Sequence, residues 1–558
     1  MCGIWALLSL KSLEFDKSYD EKYMKIKNRG PDRTHTIQDN QVNIMLAFHR
    51  LSIMDTSTKG DQPFVIELEN RTIYSICNGE IYNHHKLIEK YNLQMTSHSD
   101  CEVIPRLYCW YLENNNNLKD FITDIDGEYA FILLDIDRKQ GTYKVIISTD
   151  RFGIRPLFIS YNQDYISLSS ELKGLLYDET SQVERFKPRH YMIINYNKKF
   201  DYQYHQYYDL MDFNNTKYYD LDMIKKNIRK LLTNAIINRL ETNRPLGCLL
   251  SGGLDSSLVA SIASKYLREH GQTLKTFSVG MPGSTDKYFA EKVAEFIQSE
   301  HTHIELPQED WYNAIHNIIY YIESYDTTTV RASTGQYLVS KWINENTDIK
   351  VLLIGDGSDE LAAGYMYFHK APTAIESHLE NIRLLEDIHY YDVLRADRGI
   401  AENGLEARVP FLDRKFVEYY LQCDPELRVP QHNVEKWLLR ESFNTGEYLP
   451  QEVLWRKKEA FSDGVSGLEK SWYSVLQDYV EDKYTQKDLE EAKSKYEFNT
   501  PLTKESLYFR EIFNNLYTKN NKSVEKVIPY FWLPKWCGNV IDPSARVLSV
   551  YNEINKKI

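Results

Sequence analysis

Cys2 is the first residue with a chemistry of its own. Removal of Met1 would make it the N-terminus, and one residue would then carry both a nucleophile and a base. The thiol attacks, and the free α-amino group, with an ordinary pKa near ~8, takes its proton directly or through a water. A second candidate is Ser251-Gly252-Gly253-Leu254-Asp255-Ser256-Ser257. Its glycines let backbone N–H groups approach an anion, its serines add hydroxyl donors, and a helix starting there adds its positive end. No lysine follows the glycines, so this is not a Walker loop. The pattern suits release of pyrophosphate rather than transfer of the γ-phosphate, with Asp255 placed to hold Mg2+ on the phosphates. The third candidate is the acidic loop Gly355-Asp356-Gly357-Ser358-Asp359-Glu360. Each has a plainer reading alone: a residue after the initiator, a glycine turn with a serine cap, and a helix cap.

The elements around these residues set where they can act. Up to about residue 200 the chain reads as strands: Ile4–Leu10, Val42–Ile53, Thr72–Cys77, Tyr129–Ile136, Tyr143–Thr149, Leu157–Tyr161 and Tyr191–Tyr196. Helical stretches there are fewer, at Tyr19–Lys27, His84–Lys90 and Cys101–Glu113. That is an α+β pattern rich in antiparallel sheet. From about 223 strands alternate with helices. Leu246–Leu250, Lys275–Val279 and Ile349–Ile354 read as strands, with Ser256–Leu267 and Tyr288–Ile297 as helices. Such alternation implies a doubly wound parallel sheet, whose ligands sit beyond the carboxyl ends of its strands. Both the SGGLDSS loop and the acidic loop fall there. After Asp356 the chain reads mostly helical, 480–525 is charge-rich and expected at the surface, and the aromatic segment Pro529–Trp536 should dock on something. The expected domains are 2–205 and 223–558, with 206–222 as linker.

Composition narrows the classes. A net charge of −13 argues against nucleic acid or an anionic membrane as the main partner. Seven cysteines, without CxxC spacing, argue against a disulfide framework and a zinc site. The start lacks the basic region of a signal peptide, and no run approaches the ~18 apolar residues of a membrane span.

Taken in order, the motifs resemble the glutamine-dependent asparagine synthetases over nearly the whole chain. MCGI, NRGPD (28–32), HRLSI (49–53), NGEIYNH (78–84), SDCEV (99–103), GEYAF (127–131), DRFGIRPL (150–157) and SSELKGL (169–175) look like a class II glutamine amidotransferase domain. LLSGGLDSS (249–257), TFSVG (276–280), VRAST (330–334), GDGSDE (355–360), YFHKAP (367–372), EARVPFLD (406–413) and WRKKEAFSDGV (455–465) resemble the synthetase domain, and PYFWLPKW and DPSAR (542–546) the tail of eukaryotic members. The resemblance implies an N-terminal nucleophile hydrolase-like domain of stacked antiparallel sheets with flanking helices. An ATP-pyrophosphatase-type α/β domain with a helical C-terminal part follows it.

It also implies roles. Arg50 would pair with the α-carboxylate of glutamine, and Asp100 with its α-ammonium group. Asn78 and Gly79 would form the oxyanion hole, while Leu51, Ser52, Ile53, Met54 and Glu80 would line the site. Leu250, Val279, Ile354 and Gly355 would touch adenine and ribose. Ser251, Gly252, Gly253, Asp255 and Ser256 would hold phosphates, and Asp359 would bind Mg2+ with Asp255. Arg331 and Lys458 would neutralise substrate and phosphate charge, and Asp356 would serve adenylate formation. The implied enzyme is cytoplasmic, takes L-glutamine, L-aspartate and ATP, and is expected as a homodimer.

Departures are local. The family usually has SGEGSDE where this chain has Ile354 to Glu360, so an isoleucine replaces a serine and Asp356 replaces a glutamate. Gly335 stands where RASTP has proline, and Lys187-Pro188-Arg189-His190 replaces PPGH. Two other readings stand beside asparagine synthesis: an amidotransferase or cyclase acting on another carboxylate, and a non-catalytic relic.

Overall fold

Alternation of apolar side chains sets the first two sheets. In β1 (Gly3–Ser9), Ile4, Ala6 and Leu8 face one core while Trp5 and Leu7 face another. The strand is buried on both sides, so it reads as one apolar run. The computed structural model describes residues 1–558 apart from 13–16, 115, 214–217, 459–463, 468–469, 545–547 and 549–558. Along the N-terminal half follow β2 (Arg33–Asp39), β3 (Ile44–Arg50), β4 (Phe64–Leu68), β5 (Arg71–Glu80), β6 (Glu128–Asp137), β7 (Thr142–Thr149), β8 (Phe158–Tyr161), β9 (Tyr165–Ser169), β10 (Gln182–Arg185), β11 (His190–Tyr196) and β12 (Phe200–Gln206). One antiparallel sheet runs β10-β8-β9-β1-β3-β2 and the other β12-β11-β7-β6-β5-β4. Ile4, Leu46 and Phe48 from the first pack against Ile76, Ile132 and Ile147 from the second. Helices His84–Tyr91, Val103–Glu113 and Leu118–Asp124 cover the outer face of the second sheet.

The second domain has a parallel sheet ordered β15-β14-β13-β16-β17, from β13 (Leu246–Leu249), β14 (Lys275–Gly280), β15 (Glu300–Glu305), β16 (Val351–Leu353) and β17 (Glu406–Arg408). Helices Leu254–Glu269, Thr285–Ile297 and Thr327–Asn346 pack beside it, and the last runs through Gly335 unbroken. The expected fold class is therefore the observed one. Several strands were not legible in advance: β2, β4, β9, β10, β12, β15 and β17. They are short, polar on one face, or at sheet edges, so their apolar signal is weak. No helix among the described residues is long and apolar enough to cross a membrane.

The surface expectation for 480–525 fails in its centre. The helix Lys504–Phe513 buries Leu507, Phe509 and Phe513, and also Glu505 and Arg510. Those charges are paired, Glu505 with Arg331 and Arg510 with Glu525. The aromatic segment docks as expected: Trp532 packs against Tyr365 and Tyr367, and its backbone N–H donates to Asp326 Oδ1 at 2.8 Å.

Buried ion pairs join the two halves. Arg29 bridges Glu171 and Asp397, both at 2.7 Å. Glu128 accepts from Arg155 at 3.1 Å and Arg239 at 2.9 Å. Arg408 reaches Glu80 at 3.3 Å and Glu406 at 2.9 Å. Glu323 accepts the backbone N–H groups of Leu172 and Lys173 at 2.8 and 2.7 Å.

Candidate functional site

Cys2 stands at the edge of β1, with its sulfur 3.7 Å from the Leu51 carbonyl. Loss of water around the sulfur pushes the thiol up to about 11. Such a thiol is not ionised at neutral pH and needs a base at hand. Asn78, near the end of β5, accepts the Cys2 backbone N–H through Oδ1 at 2.9 Å. Its Nδ2 is buried without a partner. A buried amide donor left free beside a nucleophile is what a developing oxyanion requires. Met1 is fully buried on the side toward the second domain, its sulfur against Arg155 and Arg29 and its amino group 3.8 Å from Glu406.

Gly79 takes φ +152°, and a Cβ there would lie 2.1 Å from the Glu128 carbonyl oxygen. The residue beside Asn78 must therefore be glycine for β5 to reach β6 this closely. Gly79→Ala is expected to destabilise the protein by about 2 kcal/mol or more, from backbone strain and the clash together. Thermal unfolding reads the loss, and an unchanged midpoint would show that the strand can yield.

Around this point Leu51, Ser52, Ile53 and Met54 follow β3, the first three buried. The Arg50 fork is engaged by protein groups: Nη1 donates to the Ser57 carbonyl at 2.6 Å and pairs with Asp61, while Nη2 donates to the Asp55 carbonyl. Glu80 and Asp100 are both buried. Burial, with the Asp100 charge adding to it, pushes the Glu80 carboxyl well above the usual range. Burial raises Asp100 too, against the Ile81 N–H that donates to it at 2.6 Å.

In the second domain the loop after β13 leads into the helix Leu254–Glu269, which has no side-chain cap. Its first turn lines a pocket at the carboxyl ends of β13, β14 and β16. Leu250, Ser251, Gly253, Asp255 and Ser256 line it, as do Val279, Ile354 and Gly355. Gly252 does not. It has φ +72°, and a Cβ would sit 2.5 Å from the Ala290 nitrogen, so it makes the turn instead.

The acidic loop faces the same pocket. Asp356 accepts from Gln336 Nε2 and Arg395 Nη2, each at 3.3 Å. Burial raises its pKa, and Arg395 opposes the rise. Asp255 and Asp359 each meet the Lys436 ammonium group at 2.6 Å, and Lys458 adds a third contact at 2.6 Å to Asp359. Burial disfavours the Asp359 charge, but the two lysines outweigh it and hold its pKa well below the usual range. Lys436, Arg395 and Gln336 were not foreseen; none stands in a motif, and Lys436 takes φ +57° just before its helix.

Arg331 is not brought to the pocket. It is buried, with Nε donating to Glu505 at 2.7 Å and Nη2 to Asp542 at 2.7 Å, and so ties the helix Thr327–Asn346 to the C-terminal region. Of the quoted motifs, 459–463 of WRKKEAFSDGV and 545–546 of DPSAR lie outside the described residues.

Comparison with known proteins agrees with this arrangement. A family model described as glutamine amidotransferase domain matches residues 1–229, and one described as asparagine synthase matches 227–386 and 376–536. The chain is similar to the glutamine-hydrolyzing asparagine synthetase of Rattus norvegicus, at 41% identity with 100% of both chains covered. It is similar to that of Gallus gallus at 42% with 99% of each covered, and to that of Homo sapiens at 40% with 100% of each.

Proposed function

The chain belongs to the glutamine-hydrolysing asparagine synthetases, and from that premise we propose that it makes L-asparagine from L-aspartate and ATP with ammonia taken from L-glutamine. The observation that carries the residue-level reading is Asn78, which holds the Cys2 nitrogen and leaves one buried amide donor free. Excision of Met1 turns that nitrogen into an amine able to take the thiol proton. The thiolate attacks the glutamine side-chain carbonyl, and the oxyanion is met by Asn78 Nδ2 and the Gly79 N–H. Ammonia leaves with a proton, and water hydrolyses the thioester to glutamate. Arg50 and Asp100 bind the glutamine α-carboxylate and α-ammonium groups, and Leu51 to Met54 with Glu80 close the pocket. Two buried carboxyls with raised pKa values suit an arriving ammonium group, which restores their charge.

In the second pocket Ser251, Gly253 and Ser256 hold phosphates, with Leu250, Val279, Ile354 and Gly355 around the nucleoside. Asp255 and Asp359 already share one cation, Lys436. Two carboxylates beside a phosphate loop fit Mg2+, which takes one or two carboxylates with phosphate oxygens. Bound there, Mg2+ would neutralise phosphate charge. Lys436 and Lys458 supply further positive charge, and Asp356 acts where the aspartate β-carboxylate meets the α-phosphorus. Pyrophosphate leaves, ammonia attacks the acyl carbon, and AMP leaves. Excision of Met1 also empties a space between Cys2 and the second domain, bounded by Arg29, Arg155 and Glu406. We place the start of the ammonia path there, since a closed path keeps ammonia from bulk water. We further infer a cytoplasmic enzyme that assembles as a homodimer.

Product analysis with amide-labelled glutamine, aspartate and MgATP tests the reading. The label is expected in asparagine, with AMP and pyrophosphate formed in equal amounts. Pyrophosphate release with another carboxylic acid, and none with aspartate, would move the function to a different acceptor.

A further inference from the structure

Away from both pockets, three side chains converge across the seam between the domains. His84 and His85 open the helix His84–Tyr91 of the N-terminal domain. Glu241 follows the helix Leu221–Asn238 of the second. One potential ligand atom from each lies within 4.8 Å of the others, and among the described residues this is the one such group of three His, Cys, Asp or Glu.

The two rings differ in how they are held. His84 is buried, and its Nδ1 lies 2.8 Å from the Ile81 carbonyl. A carbonyl oxygen only accepts, so Nδ1 carries the proton and a neutral His84 keeps its lone pair on Nε2. A backbone carbonyl on the far nitrogen is the usual support of a metal-binding imidazole. His85 Nε2 lies 2.9 Å from Glu241 Oε1, and the His84 and His85 ring centroids are 3.9 Å apart. Tetrahedral Zn2+ with bonds of about 2.0–2.2 Å sets its ligand atoms roughly 3.4 Å from one another. His85 and Glu241 are 71% and 48% exposed, so both can close that small difference.

We propose that His84, His85 and Glu241 bind one transition-metal dication of the Zn2+ class, which staples the N-terminal domain to the second domain. Two imidazoles and a carboxylate, with a fourth position left to water, suit such an ion better than Mg2+ or Ca2+. The helix start is the positive end of its dipole and works against a cation. Glu241 supplies the opposing charge from the other domain. A metal held here also pins the 81–84 turn, whose Ile81 N–H donates to Asp100 at 2.6 Å.

Co2+ is the probe for the test, because its visible bands report ligand type. Full-length protein, freed of metal by chelation, is expected to bind one Co2+ per chain, with tetrahedral bands and no thiolate charge-transfer band. Zn2+ should displace it and raise the unfolding midpoint. His85→Ala and Glu241→Gln, both at exposed positions, should weaken binding at least about 10-fold, with Glu241→Gln the weaker binder. Equal binding by wild type and both variants would overturn the proposal. So would a thiolate band, which would place the metal on cysteine.

Discussion

The Cys2→Ala protein is expected to lose glutamine hydrolysis by more than about 10³-fold while still releasing pyrophosphate with aspartate, MgATP and ammonium. The sulfur is the only atom the change removes, and Asn78 would still hold the residue-2 nitrogen. Glutamine should still bind, because Arg50 and Asp100 are untouched. The two activities separate because the phosphate loop and Asp356 lie in the other domain. Glutamate release and pyrophosphate release, measured on one preparation, give the comparison. Equal glutaminase rates in the two proteins would mean a relic domain. An equal loss of both activities would mean that the substitution acts through the interface rather than through the thiol. Intact mass of the wild type should show Met1 removed. A chain that keeps Met1 has an amide where the base is required, and its thiol stays near about 11.

Asp356→Asn should cut pyrophosphate release by about 10²- to 10⁴-fold and leave Cys2-dependent glutaminase unchanged. Asparagine keeps the size of the residue and removes its charge. Arg395 and Gln336, both at 3.3 Å, hold Asp356 loosely, so its orientation depends on what enters the pocket. Asp356→Glu separates charge from reach. The longer acid matches the family pattern, and it should retain activity where asparagine does not. A fall in kcat at constant ATP KM and constant unfolding midpoint would assign the effect to the chemical step. An Asp356→Asn protein as fast as wild type would remove this residue from the mechanism.

The parts of both sites that lie in short runs were legible in the sequence. Cys2, Asn78, Ser251 to Ser256 and the acidic loop each sit in a contiguous motif whose chemistry needs neighbours in sequence. Lys436 does not: it reaches Asp255 across 181 positions. Nothing in its surroundings separates it from a surface lysine. Arg331 shows the opposite failure, because it sits in a motif, yet its guanidinium turns away to Glu505 and Asp542. The stretch containing Glu505 and Arg510 was expected at the surface because charge content does not reveal pairing. The antiparallel core was legible in strands buried on both faces, such as β1 and β6. It was hidden in edge strands such as β2 and β12, where polar residues face water.

The ion pairs across the seam bear on the order in which this protein is made. A ribosome finishes the first two sheets before Asp397, Glu406 or Arg408 exists. Until then Arg29 lacks one of its two carboxylates, Asp397. A buried charge without its partner costs several kcal/mol. The seam-facing side of the N-terminal half therefore stays open to water until translation passes residue 408, because closing it over Arg29 without Asp397 would bury a charge short of one partner. Closure of the seam is then the last step of assembly: Cys2 and Asn78 meet within the first half, but the face beside them is sealed only once the domain that would consume the ammonia is present.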